Sequence, residues 1–221
     1  CYTSWCGPCK MMATQVFSQK AAGDYFNKEF VSIKIDMEKG EGPTVKNRFG
    51  VRAFPTFLFI DQTGKEINRI VGGDRDVEKF IAKVKEGLGT NSLSALAERY
   101  ERGERDTTFL FSYLKALDTA YDNKKSAEVA GVLLAGNEKD MLTNNNLYEA
   151  FVNYNSSPLT AAFQYMLVHK SEFEAKYGAR NVNMVADRVW MQFPRSYVKK
   201  NADGTAEFDK VGMDAYKAEM K

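Results

Sequence analysis

The chain has 221 residues, and its 31 basic and 29 acidic side chains give a formal net charge of +2. This length is sufficient for two modest domains, each with its own hydrophobic core. The interspersed charges exclude the one-signed field that recruits nucleic acid or an anionic membrane surface. The longest apolar stretch, residues 54–60, is interrupted by Pro55 and Thr56 and is far shorter than the roughly 20 residues of a membrane helix, so we expect no membrane span.

Residues 1 to about 88 mix helical and strand patterns. The spacing of apolar residues predicts a bent helix over residues 4–28, and the alternation that follows predicts a strand over residues 30–36. A short helix is expected to begin at Pro43, which suits a first helical turn, and to end at Gly50.

A hairpin and a helix are predicted next. The two strands cover residues 55–60 and 66–71, with a turn at Gly64 between them. A helix is predicted over residues 75–87, where apolar residues recur at helical spacing, and Asp74 is its predicted N-cap.

From residue 90 the patterns are helical only. Asp106 is expected to cap one helix. A further apolar stripe is predicted from Leu159 to Tyr177, formed by Leu159, Phe163, Met166 and Leu167 with Phe173 and Tyr177. Short helices joined as hairpins weakly resemble tetratricopeptide-type repeats, without a strict 34-residue period. We therefore predict two domains, an α/β domain over residues 1–89 and an all-α, repeat-like helical domain over residues 90–221.

Two cysteines, Cys6 and Cys9, are separated by Gly-Pro at the point where the first helix is expected to begin. A disulfide between them would close so small a loop that it supplies only roughly 2 kcal/mol of stabilisation, which suits a reversible redox switch better than a staple. Helix N-termini favour a thiolate. We expect Cys6 to be exposed at the helix tip and to attack a substrate disulfide, and Cys9, one turn deeper, to resolve the mixed disulfide.

The alternative interpretation of these cysteines is a metal site. Cys1, Cys6 and Cys9 repeat the spacing of three ligands in plant-type iron–sulfur proteins, but the chain has no fourth cysteine. A zinc site would have to recruit His169, the only histidine, from the other predicted domain. We predict no metal and no cofactor beyond the disulfide, a structural role for Cys1, and a surface or half-buried His169.

Several motifs together carry a family resemblance. They are Trp5-Cys6-Gly7-Pro8-Cys9-Lys10, Phe54-Pro55-Thr56, the turn at Gly64, and Val71-Gly72. The chain resembles the thioredoxin superfamily over residues 1 to about 88. Within the superfamily it is similar to the bacterial thiol:disulfide interchange proteins, with a helical extension like those found in Bacteroidetes.

The resemblance implies a fold and a set of site residues. The fold would be an α/β thioredoxin fold followed by the helical domain, with Pro55 as a cis-proline facing the disulfide and the backbone of Phe54 offered to an extended substrate. Trp5 would be an apolar platform, and Gly72 would allow the substrate backbone to approach closely. The implied substrate-binding residues are Trp5, Gly7, Pro8, Phe54, Pro55 and Gly72.

The chain departs from the family at its start. Family members have a strand and a helix, and then the central strand, before the cysteine motif, and here only Cys1, Tyr2 and Thr3 correspond to the central strand. We expect the natural protein to be longer by a few tens of residues and to carry an export signal. A periplasmic or otherwise exported location is therefore expected, with the cytoplasm as the alternative.

The function implied is a thiol–disulfide oxidoreductase that reduces or isomerises protein disulfides. The Gly-Pro dipeptide matches reducing thioredoxins and suggests a reduction potential nearer about −270 mV than −120 mV. The expected partners are protein thiols or disulfides and a redox partner, with no nucleic acid. The alternative is an auxiliary or redox-inactive module whose helical domain recruits a client or partner protein.

Overall fold

The computed structural model describes residues 1–200 and 205–219. The chain divides into two compact units, 1–126 and 127–221. The first unit runs past residue 89 because two of its later helices pack against its hairpin. The predicted boundary between residues 89 and 90 stays a prediction, and residues 201–204 and 220–221 of the predicted helical domain lie outside the described part.

The first unit begins with a short strand-like segment and then alternates helices with one hairpin. Its helices and strands, in chain order, are α1 (Gly7–Met11), α2 (Lys20–Glu29), α3 (Gly42–Arg48), β1 (Thr56–Ile60), β2 (Glu66–Val71), α4 (Val77–Glu86), α5 (Leu93–Glu101), α6 (Thr107–Thr119) and the start of α7 (Asn123–Leu134).

The strands β1 and β2 form an antiparallel hairpin in which Thr56 pairs with Val71 and Leu58 pairs with Arg69. One side of this hairpin is covered by α2 and α4. The buried core between them consists of Met12, Val16, Ala22, Phe59, Ile70, Val77, Phe80, Ile81 and Val84. The apolar stripe predicted for α4 is therefore the stripe that is buried.

The first helix is interrupted rather than only bent. A π-helical segment, Met12–Val16, follows α1, and the Phe17 N–H donates to the Met12 carbonyl five residues back at 2.9 Å. The Thr14 and Ser18 hydroxyls donate to carbonyls four residues back, which is a bonding mode that bends helices. Gln19 is extended, and α2 starts after it.

The strand predicted over residues 30–36 is wrong. Residues 31–34 have no regular structure, and Val31 and Ile33 are 94% and 75% exposed. Only the end of the segment pairs, because Tyr2 donates to the Ile35 carbonyl at 3.1 Å and accepts from Met37 N–H at 2.8 Å. Alternation alone does not make a strand, since a strand needs a partner, and none of the described strands pairs with residues 31–34.

The predicted cap of α4 is also wrong, by two residues. Asp76 caps the helix and accepts the N–H groups of Glu78 and Lys79 at 3.0 and 3.1 Å. Asp74 instead accepts the N–H of Asp76 and shapes the turn before the helix. The cap predicted at Asp106 is confirmed, because its carboxylate accepts the Phe109 N–H at 3.0 Å.

The second unit is mostly helical. After the remainder of α7 it contains α8 (Asn145–Tyr154), α9 (Ala161–Val168), α10 (Lys170–Tyr177), α11 (Ala179–Gln192), β3 (Val198–Lys200), β4 (Ala206–Phe208) and α12 (Lys210–Glu219). The predicted helical character of this region is confirmed, and the structure adds one small antiparallel hairpin, β3–β4, near its end. The stripe predicted from Leu159 to Tyr177 is split at His169, which leaves helical geometry between α9 and α10.

The core of the second unit is built from one side of each helix. Its fully buried large side chains are Leu133, Met141, Phe151, Phe163, Met166 and Phe173. In neither unit does a described helix have the length and apolar character needed to cross a membrane.

Candidate active site

Cys6 and Cys9 are joined by a disulfide at the start of α1, with an S–S distance of 2.01 Å and Cα atoms 5.2 Å apart. Cys6 is the N-cap residue and has extended backbone geometry, and Pro8 lies in the first turn, where a missing N–H costs nothing. The Cys6 Sγ accepts the Cys9 N–H at 3.0 Å. The sulfur that would attack a substrate is therefore already aimed at a helix N-terminus, which stabilises a thiolate.

The prediction that Cys6 is exposed is wrong for this disulfide state. Cys6 is 3% exposed and Cys9 is 7% exposed. The Cys6 Sγ folds back over the first turn of α1 to meet Cys9, while its neighbours Trp5, Gly7 and Pro8 are exposed, as is Lys10 further along the motif. A partner sulfur must therefore approach Cys6 across these three neighbours.

The segment Cys1–Thr3 fixes the position of the cysteine motif by its backbone hydrogen bonds. Cys1 N donates to the Thr56 carbonyl at 2.8 Å, and Thr56 N–H donates to the Cys1 carbonyl at 3.2 Å. On its other side Tyr2 forms a parallel bridge with Asp36. The Thr3 carbonyl then accepts the Cys6 N–H at 3.2 Å, so the main chain leads directly from the paired segment into the disulfide.

The segment before β1 contains the second predicted element of the site. The Phe54–Pro55 peptide bond is cis, which is the isomer that the resemblance implies. The Pro55 carbonyl accepts the Gly72 N–H at 2.8 Å. Gly72 has φ of +84°, and a Cβ there would meet open space, so glycine is required by its backbone and the space in front of it is free.

Trp5 and Phe54 bring the two halves of the site together. The Trp5 side chain is 65% exposed, and its ring meets that of Phe54 edge to face with centroids 6.0 Å apart. Pro55 directly follows Phe54 in the chain, Gly72 is bonded to Pro55, and Gly7 and Pro8 directly follow Cys6. The predicted site residues are thus all placed in the first unit.

Sequence reasoning missed Glu38 and Lys46 at this site. The Trp5 indole N–H donates to both carboxylate oxygens of Glu38, at 3.0 and 3.1 Å, and the Lys46 ammonium lies 5.8 Å from the Phe54 ring centroid. Met12 packs against the backbone of Gly73, where a Cβ would lie 2.5 Å from the Met12 Sδ. Glu38 is 33 residues from Trp5, and no pattern in the sequence connects such distant positions.

The remaining cysteine and the histidine lie in ordinary surroundings. Cys1 is a free, half-buried thiol. His169 stacks on Tyr165 with ring centroids 4.2 Å apart, and its Nδ1 lies 2.7 Å from Glu172 Oε1. Within residues 1–200 and 205–219, no three His, Cys, Asp or Glu side chains are grouped as metal ligands.

The second unit has a concave surface of its own. A groove of about 420 Å³ lies between α8 and α11, and its lining includes Met184 and Arg188. Burial lowers the pKa of the Arg188 guanidinium. Recruitment of a client by the helical region, the alternative drawn from the sequence, stays a prediction.

Comparisons with known proteins agree with the geometry of the first unit. The family model described as Thioredoxin matches residues 1–86. Thioredoxin H2 of Arabidopsis thaliana is 40% identical over 84 residues, which cover 37% of this chain and 57% of that protein. Thioredoxin-1 of Drosophila melanogaster is 37% identical over 83 residues, which cover 38% of this chain and 73% of that protein.

A solution structure of a candidate disulphide-isomerase from Bacteroides thetaiotaomicron is 47% identical, with a TM-score of 0.36, over 39% of this chain and 71% of that one. The chain spans about half the length of the first curated relatives that it matches.

A disulfide that caps a helix beside a β-hairpin places the first unit in the class of CxxC redox folds. The chain belongs to the thioredoxin superfamily, and its thioredoxin domain is followed by a mostly helical region.

Proposed function

We propose that the protein is a thiol–disulfide oxidoreductase that reduces or isomerises disulfides in other proteins. The observation that carries this proposal is the disulfide between Cys6 and Cys9, in which the Cys6 sulfur also caps α1 by accepting the Cys9 N–H. After reduction, the same N–H is available to a Cys6 thiolate and favours it over the thiol. Membership in the superfamily supports the proposal.

The exchange proceeds in two displacements. The Cys6 thiolate attacks one sulfur of the substrate disulfide, the substrate S–S bond breaks, and its other sulfur leaves as a thiolate that takes up a proton. Cys9, once deprotonated, attacks the Cys6 Sγ of the mixed disulfide and releases the second substrate thiol. The substrate gains two electrons and two protons, and the Cys6–Cys9 pair is oxidised to the disulfide.

The surroundings of the disulfide suit an extended polypeptide substrate. Because Cys6 is buried, the substrate must lie across exposed Trp5, Gly7 and Pro8. The free space in front of Gly72 can admit a substrate backbone, and the Phe54–Pro55 segment is tied by the Thr56–Cys1 bonds to the chain that leads into the motif.

Reduction of insulin disulfides by the intact chain, with dithiothreitol as the electron donor, tests the activity. Cys6→Ser should abolish the catalysed reaction because no nucleophile remains, and Cys9→Ser should accumulate a mixed disulfide that cannot be resolved. Cys1→Ser is the matched control and should retain turnover. An intact disulfide pair that shows no turnover above dithiothreitol alone would overturn the proposal.

We propose further that the pair works as a reductant, with a potential nearer about −270 mV than −120 mV. Equilibration with glutathione buffers measures this potential, and a value near −120 mV would argue for an oxidant.

We also propose that the protein is exported, to the periplasm in bacteria, with the cytoplasm as the alternative location. Labelling of reduced Cys6 in intact cells by a membrane-impermeant maleimide distinguishes the two locations.

A further inference from the structure

The Trp5–Phe54 ring pair lies beside Cys6, on the side from which a substrate must approach. Cys6 is 3% exposed while the preceding Trp5 is 65% exposed, so a peptide whose sulfur reaches Cys6 also touches the indole or the phenyl ring beside it. An apolar residue next to the substrate cysteine would cover these rings. In such a peptide, the side chains one position beyond these apolar residues would reach the charged groups that border the Trp5–Phe54 pair.

One charge of each sign borders this pair. Glu38 is exposed and holds the Trp5 indole through both carboxylate oxygens. Lys46, at the end of α3, places its ammonium 5.8 Å from the Phe54 ring centroid, within the range of a cation–π contact. Across the described ranges neither Glu38 nor Lys46 forms an ion pair, so no opposite charge of the protein neutralises either group.

We propose that Glu38 and Lys46 make the rate of reaction depend on the order of charges along the substrate. This proposal rests on the proposed oxidoreductase function. The preferred substrate is a peptide disulfide whose cysteine has apolar neighbours, with a basic residue on one side to meet Glu38 and an acidic residue on the other to meet Lys46. The same residues in the reverse order would bring like charges together at both ends.

The expected size of the effect follows from the positions of the two groups, because Glu38 is exposed and Lys46 is half-buried at the surface. Exposed ion pairs contribute little individually, but a substrate of the reverse order loses two attractions and gains two repulsions, so we expect a rate ratio of about threefold to tenfold. Lys39 is a weaker candidate for this role because its ammonium lies 3.9 Å from the Asp36 carboxylate. Lys10 is also exposed and lies one turn along α1. A variant at this position is therefore included as a control, which tests whether Lys10 contributes to the preference for one order of charges.

Two capped peptides of identical composition test the proposal. One has the order Lys-Leu-Cys-Leu-Glu and the other has Glu-Leu-Cys-Leu-Lys, and each carries thionitrobenzoate on its cysteine. The reduced protein attacks the peptide sulfur, thionitrobenzoate leaves and is measured by its absorbance, and Cys9 then releases the peptide thiol. The equal net charge of the peptides removes differences in long-range attraction.

The wild-type protein should prefer one order by about threefold to tenfold. Glu38→Gln keeps an acceptor for the indole N–H while it removes the charge, and together with Lys46→Gln it should bring the ratio close to one. The exchange Glu38→Lys with Lys46→Glu should reverse the preference. Exchange of the exposed α2 pair, Lys20→Asp with Asp24→Lys, and the single change Lys10→Gln should both retain the wild-type ratio.

Equal rates for the two peptides in the wild-type protein would overturn the proposal, and so would a preference that persists in the charge-removed variant or follows Lys10. These results leave the oxidoreductase function standing, because both peptides would still be reduced. If neither peptide nor insulin is reduced by the intact pair, the proposed function itself fails.

Discussion

Replacing Gly73 by alanine should destabilise the first unit although Gly73 is exposed. An added Cβ would lie 2.5 Å from the Met12 Sδ and 2.7 Å from its Cγ, which is well inside van der Waals contact. Met12 is 1% exposed and begins the π-helical segment directly after α1. The methyl group must therefore displace a buried side chain at the end of the helix that carries Cys9.

The magnitude follows from what Met12 can do. Its thioether chain is flexible, but it is packed in the core with Val16 and Phe80, so relief of the clash requires repacking. Adding a methylene to a packed core costs about 1–3 kcal/mol. For a unit of this size, a loss of 1 kcal/mol corresponds to a decrease in melting temperature of about 3–6 °C.

Urea unfolding measures the effect on the first unit alone if Trp5 is the reporter. The chain has two tryptophans, so the experiment is done in a Trp190→Phe background, in which Trp5 fluorescence follows the first unit. Gly23→Ala is the matched control. Gly23 lies inside α2, and the nearest atom to its added Cβ is 3.8 Å away, so this change should stabilise by about 0.5–1 kcal/mol. A midpoint for Gly73→Ala equal to or above that of the parent would refute the packing argument.

Two further predictions concern the turns of the first unit. Asp76→Ala should lower the free energy of unfolding by about 1 kcal/mol, because the first-turn N–H groups of α4 lose their acceptor; Asp74→Ala, which affects only the turn, should cost less in the same denaturation experiment. The hydroxyl of Thr63, together with main-chain N–H groups, holds the pKa of Asp61 below its usual range. This stabilisation is present above the unfolded-state pKa and is lost as the pH falls through the lower folded-state pKa. Thr63→Ala should therefore raise the Asp61 pKa, so that less stability is lost as the pH falls. An NMR titration in which the Asp61 pKa does not move would contradict the assignment.

Local patterns in the sequence predicted much of the first unit. The hairpin over β1 and β2, the apolar face of α4 and the cap at Asp106 depend on residues close together in the chain, where spacing and turn chemistry carry the information. The same holds for the start of α1, because Cys6, Pro8 and Cys9 are all contained in one helical turn. In the helical region the breakers correctly indicated short helices, but nothing in the spacing indicated the β3–β4 hairpin.

The pairing of distant segments could not be obtained in this way. Residues 30–36 alternate as a strand does, but a strand exists only where another segment supplies hydrogen bonds, and among the residues that the structure describes only Tyr2 does so. The choice of Asp76 rather than Asp74 as a cap depends on where the chain leaves β2. The exposure of a side chain likewise depends on its whole neighbourhood, which is why Cys6 was expected outside and is found buried.

The sequence by itself predicted that Cys6 and Cys9 form a disulfide pair at the start of a helix, because the two sulfurs and the capping N–H lie within four residues of one another. Only the tertiary structure decided what surrounds that pair. Glu38 reaches Trp5 from 33 residues away, and Lys46 on α3 reaches Phe54 in the segment before β1. Contacts of this kind depend on how the chain is packed, and packing is a property of all the segments together rather than of any one of them.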